Sequence, residues 1–72
     1  MTPLTARELL LLLRLHTYKR PARIRLYDPD IRRYRRMVAL GLLDGADDGD
    51  SVVVYPNKHG RRRIREACKG AT

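Results

Sequence analysis

The chain has 72 residues, enough for one small domain near the lower limit at which a core holds together unaided. Cys68 is the only cysteine, which excludes an intrachain disulfide and a thiolate zinc cluster and suits a reducing cytoplasm. Sixteen Lys and Arg, thirteen of them Arg, stand against 8 Asp and Glu; the formal charge of +8 points to a polyanionic or acidic partner. The longest apolar run, Leu9–Leu13, is too short to span a bilayer, and the first residues lack the basic start and cleavage site of a signal peptide. The expectation is a soluble, cytoplasmic, single domain over residues 1–72.

Thr5-Ala6-Arg7-Glu8 reads as a capping box and opens a helix over about residues 5–16. Arg7 and Arg14 share one face of this helix, and the rest is apolar nearly all round. A surface helix needs one apolar stripe, so Leu10 and Leu11 are surplus to a monomer's core. They lie under neighbouring segments or form a homodimer interface. Residues 21–27 fit either a short strand, with Arg23, Arg25 and Tyr27 alternating against Ile24 and Leu26, or a turn or two of helix after Pro21. Asp28 suits an N-cap and Pro29 a first helical position, which starts a second helix over 29–40. Ile31, Tyr34, Met37 and Val38 form its apolar side, with Arg32 and Arg36 opposite and Arg33 and Arg35 on the flanks. Gly41 stops it. A two-stranded hairpin over 42–55 follows, with a tight turn in "GADDGD" and a strong turn signal at Asp48-Gly49. Asn57 caps a last helix over 57–69, with Gly70 beyond its end.

This order of elements resembles a winged helix-turn-helix domain, an α+β fold. Two stretches carry the resemblance. "IRRYRRMVALGLLDG" is similar to a recognition helix running through Gly-Leu-Leu into a wing, and "VVVYPNKHGRRRIREAC" places Asn57-Lys58-His59-Gly60-Arg61 where the family has Thr-x-x-Gly-Arg. The resemblance implies that the helix over 29–40 enters the major groove of double-stranded DNA. Arg32, Arg33 and Arg36 would then read bases, and Arg35 would reach a phosphate. The chain departs from the family in having only "PARIRLY" where a further helix precedes the recognition helix. Its hairpin is also acidic, with Asp44, Asp47, Asp48 and Asp50, so it is expected to stay off the phosphates.

Residues 31–43 hold no acid, although solvated helices commonly mix Glu with Arg. Further DNA contacts are expected from Arg20, Arg23 and Arg25, in a basic group with Lys19, and from Lys58, Arg61 and Arg62. Tyr34 belongs to the apolar stripe, and Cys68, four residues after Ile64, reads as a small buried side chain. His16, His59 and Cys68 match no zinc or nucleophile spacing, and the glycines form no phosphate-cradling loop. An enzyme, a cofactor and a metal are therefore not expected. The reading is a small transcriptional regulator, similar in size to the solitary winged helices of phages and mobile elements. The rival is a protein-interaction module that docks on an acidic partner and inhibits or recruits it.

Overall fold

The computed structural model describes residues 3–70; the ends of the domain expected from sequence, positions 1, 2, 71 and 72, lie outside the described residues. The described chain runs α1 (Ala6–Tyr18), β1 (Ala22–Arg25), α2 (Ile31–Ala39), β2 (Leu43–Asp48), β3 (Ser51–Pro56) and α3 (Lys58–Gly70). This is an α+β arrangement of three helices and a three-stranded antiparallel sheet in the order β1-β3-β2, compatible with a winged-helix layout. Among the described residues, no helix is long and apolar enough to cross a membrane.

The capping box forms as its chemistry requires. The Glu8 amide donates to Thr5 Oγ1 at 3.2 Å, and the Thr5 amide donates to Glu8 Oε1 at 2.9 Å. The helix runs on to Tyr18 and ends at Lys19, whose left-handed conformation (φ 57°) turns the chain toward Pro21. Leu11, Leu12 and Leu15 enter the core, while Leu10 and Leu13 remain 46% and 42% exposed. Leu11, expected at a dimer interface beside Leu10, is therefore a core residue at 2% exposure. The sheet and the two other helices need more than one stripe of α1, and that need accounts for its extra leucine.

The open choice at residues 21–27 falls to a strand. Ile24 is buried between exposed Arg23 and Arg25, and all three pair with β3 in the register Arg23↔Val53, Ile24↔Val52, Arg25↔Ser51. This adds a strand to the expected two-stranded hairpin. Residues 26–30 form turns, held by the Asp28 amide on Arg25 O and the Ile31 amide on Asp28 O, both 3.0 Å.

The start expected for α2 was two residues early. Asp28 does not cap the helix: its carboxylate accepts from the Asp30 amide at 2.7 Å, closing a turn around Pro29. Asp30 takes the N-cap position, yet its side chain makes no cap bond because it accepts from Arg7 and Arg33 instead. The other end follows the sequence. Gly41 (φ 80°) donates to Val38 O and Leu42 to Met37 O, a Schellman closure.

The hairpin turn is tighter than "GADDGD" suggests. Gly45 to Asp48 continue β2, in register with Val54 to Ser51, and only Gly49-Asp50 bridge the strands. Gly49 supplies the positive φ (63°) that the first position of such a two-residue loop requires. Pro56, expected beyond the pairing, is the last residue of β3 and lies opposite Leu43.

Asn57 caps α3 by accepting from the His59 and Gly60 amides, each at 3.0 Å. It also donates through Nδ2 to Gly41 O at 2.9 Å, while its own amide meets Leu42 O at 3.3 Å. The start of α3 is thus fastened to the end of α2. Gly60 makes this possible, since a Cβ there would lie 2.2 Å from Leu42 O. The helix continues through Gly70 and buries Ile64. Cys68 is exposed, contrary to the expected burial, because residues 65–69 include no buried position for the core to use.

One core joins Leu11, Leu12, Leu15, Ile24, Tyr34, Met37, Leu43, Val52, Val54 and Ile64, so every element contributes to it. Gly60→Ala is expected to lower unfolding free energy by about 1–3 kcal/mol through the backbone clash. Gly41→Ala, which meets nothing within 4 Å, is expected to cost about 1 kcal/mol through its positive φ alone. Urea unfolding of both variants checks this, and an unchanged midpoint for Gly60→Ala would show that the junction relaxes freely.

Candidate nucleic-acid interface

Tyr34 and Met37 anchor α2 in the core at 8% and 0% exposure, so the opposite side must face outward. Arg32, Arg33 and Arg35 are exposed, and Arg36 is half-buried. At the N-terminal end of α2, Arg32, Arg33 and Arg36 meet Arg7 of α1 around an open hollow of about 650 Å³. Arg7 was not among the residues expected from sequence to form this surface. Its only signal was the face it shares with Arg14, and that face gives no hint of contact with α2.

Two acids partly neutralise this arginine group. Asp30 accepts from Arg7 Nε at 3.3 Å and Arg7 Nη2 at 2.8 Å, and from Arg33 Nη1 at 3.1 Å. The Arg7 fork is the main reason the Asp30 carboxyl sits below its ordinary pKa, outweighing desolvation. The same contact raises the Arg7 guanidinium above its ordinary value. Burial pushes the Tyr34 hydroxyl up, and Asp28 and Asp30 nearby add to that.

Glu8 is the second acid and is only 2% exposed. Burial pushes its pKa up, but the Thr5 amide and the Arg36 guanidinium bind its charged form and prevail, so the net shift is downward. Arg36 pairs with Glu8 Oε1 through Nη1 and reaches Pro3 O through Nη2 at 3.3 Å. Glu8 Oε2 is buried with no hydrogen-bond partner among the described residues. One carboxylate therefore caps α1 and also holds α2 against it. Arg36, expected to read bases, is placed as an internal strut with part of its surface open.

Arg32 and Arg35 make no hydrogen bond or ion pair among the described residues. They are one turn apart and both exposed, Arg32 opposite the core and Arg35 on the flank of α2. Arg35 also borders a smaller hollow of about 230 Å³ with Val38, Gly45 and Asp47, where α2 crosses the sheet.

The remaining expected residues are not on this surface. Arg23 pairs with Asp48 at 2.7 Å and Arg25 with Asp50 at 3.2 Å, both solvent-exposed. Each pair is worth at most about 1 kcal/mol, but together they occupy the acidic hairpin with the arginines of β1. Arg20 and Arg61 line one hollow at the far end of α1, and Arg61 donates to Pro56 O at 3.1 Å. Lys58 and Arg62 lie exposed on α3, Arg62 beside Leu40, Gly41 and His59. Among the described residues, no three His, Cys, Asp or Glu side chains converge to hold a metal.

Neither a protein-family model, a curated protein nor a solved structure matches this chain.

The Glu8 carboxylate gives the surface a pH dependence with a defined sign. Its folded pKa lies below the ordinary 4.5, so its stabilisation is complete above that value and is lost as pH falls through the lowered pKa. Asp30 contributes with the same sign. Urea unfolding at descending pH should therefore show a steeper acid loss for the wild type than for Glu8→Gln. Identical acid limbs would mean the Glu8 pair contributes nothing.

Proposed function

We propose that the chain is a winged-helix domain that binds double-stranded DNA as a small transcriptional regulator, with α2 as the recognition helix. The observation that carries this reading is the exposed surface of α2, where Arg32 and Arg35 hold no acid on a helix anchored in the core by Tyr34 and Met37. An α-helix with its side chains is about 10–12 Å across, which suits a major groove of roughly 12 Å width. The sheet order β1-β3-β2 and the hairpin that follows α2 support the resemblance.

In this reading Arg32 and Arg35 are the base readers. A planar guanidinium can take guanine O6 and N7 together, and neither side chain must first leave an acid. Arg7 and Arg33 contact phosphates, exchanging part of their hold on Asp30 for the backbone. Arg36 sets the angle of α2 through Glu8. The hairpin stays off the duplex, because its tip is acidic and the arginines of β1 already engage it.

A protein-interaction module that docks on an acidic partner is the second reading. Two observations favour it: residues 21–30 hold a strand and turns where the family has a helix, and Leu10 and Leu13 are exposed on α1. Those leucines, with Leu13 in place of Leu11, are also the seam we propose for a homodimer.

Selection from a random duplex pool, with washing at about 150 mM salt where charge-only binding weakens, decides between the readings. Enrichment of a motif is expected; recovery of unsorted sequence favours the protein partner. Arg32→Glu with Arg35→Glu should weaken binding to that motif by about 100-fold and leave the circular dichroism spectrum unchanged. Reversing Arg36 is not a clean test, since it would set a second carboxylate against buried Glu8 and threaten the fold. For the seam, sedimentation should give a dimer that Leu10→Glu with Leu13→Glu dissolves, and a wild-type monomer would discard it.

A further inference from the structure

At the end of α1 remote from its capping box, three separated parts of the chain close around a hollow of about 450 Å³. Leu15, Pro21 and Pro56 form an apolar floor, and Tyr55 forms one wall. His16, Lys19, Arg20 and Arg61 also line it, and no carboxylate does. Asp44, the strand partner of Tyr55, lies outside the lining and is within 3.4 Å of Asn57 Nδ2.

The arrangement differs from the acid-paired arginines of the molecule. Arg7, Arg23, Arg25, Arg33 and Arg36 each hold an acid. Lys19 and Arg20 hold none, and Arg61 uses one nitrogen on a backbone carbonyl and keeps the rest of its fork. Tyr55 is 44% exposed and its hydroxyl makes no hydrogen bond among the described residues. Lys19 is also the one described residue other than glycine with a positive φ, the conformation that brings the chain around the hollow.

An apolar floor beside an open aromatic ring accepts a flat, weakly polar group. An uncompensated cationic rim accepts an anion attached to it. We propose that this hollow binds one nucleoside phosphate unit, its base stacked on Tyr55 and its phosphate held by Lys19, Arg20 and Arg61. Stacking on an aromatic side chain is sequence-tolerant, because every base has a π-face. The phosphate is drawn by cations that lose no internal ion pair on binding it. The unit is either a free nucleotide or an unpaired nucleotide of a strand, and the site is separate from the duplex face of α2.

The test uses the full ¹⁵N-labelled chain at about 150 mM salt, where weak charge-only contacts are suppressed. It is titrated separately with a short oligothymidylate, thymidine 5′-monophosphate and oligoglutamate. Shifts in the amides of Leu15, Lys19, Arg20, Tyr55 and Arg61 are expected with the thymidine ligands. Preference for the oligomer identifies an unpaired strand as the source, and equal binding of the monophosphate identifies a free nucleotide. Tyr55→Ala should weaken binding by about tenfold or more, as loss of one stacked base does, while Tyr55→Phe retains it. Arg32→Glu with Arg35→Glu should leave this binding intact, which separates the site from α2. Absence of shifts at these amides overturns the proposal. So does an equal response to oligoglutamate with Tyr55→Ala harmless, which would make the hollow an acceptor of acidic peptide.

Discussion

The contact between Glu8 and Arg36 joins the two helices on which any use of the basic surface depends. Glu8 is bound to the first turn of α1 by the Thr5 amide, so its carboxylate has little freedom to move. Arg36 then meets that fixed carboxylate from α2. A surface ion pair contributes little, but here one partner is 2% exposed, and breaking the pair would leave a charge in the interior. The orientation of α2 therefore rests on a charge that the core cannot accept unpaired. The same contact explains why an arginine-rich helix can lie against the body of a small, strongly basic protein.

A second junction works just past the C-terminus of α2. Gly41 reverses the chain, Leu42 presents its carbonyl, and Asn57 and Gly60 close on that carbonyl and its neighbour. The Asn57-Lys58-His59-Gly60-Arg61 stretch thus has a structural reason for its glycine. It makes α3, the hairpin and α2 interdependent, so displacement of one strains the others.

The charge of +8 is divided among places with different states of compensation. On the strand β1 it is matched by the hairpin aspartates, and between α1 and α2 it is matched in part. On the outer side of α2 and at the end of α1 it is not matched by any ion pair among the described residues. Compensation, more than the number of arginines, separates surfaces that maintain the fold from surfaces available to a partner.

Local chemistry was legible in the sequence. The capping box, the glycine after Leu40, the Asn57 cap and the positive-φ glycine in the hairpin were readable because each depends on residues within a few positions of one another. The apolar stripe of α2 was readable for the same reason, since helical spacing fixes which residues share a face. Sequence could not choose strand or helix for residues 21–27, because both patterns fit and only the free edge of β3 selects the strand. Nor could it separate Leu11 from Leu10, or Arg36 from Arg32, although each pair differs sharply in exposure or partner. Those differences arise from residues distant in sequence that meet only when the helices pack, as Glu8 and Arg36, 28 positions apart, do. The sequence by itself determined the three helices, the hairpin and the caps of α1 and α3, because each is set by residues close together in the chain. The tertiary structure decided which arginines are held by acids and which are left free, because a charge acquires its partner only when the chain closes around it.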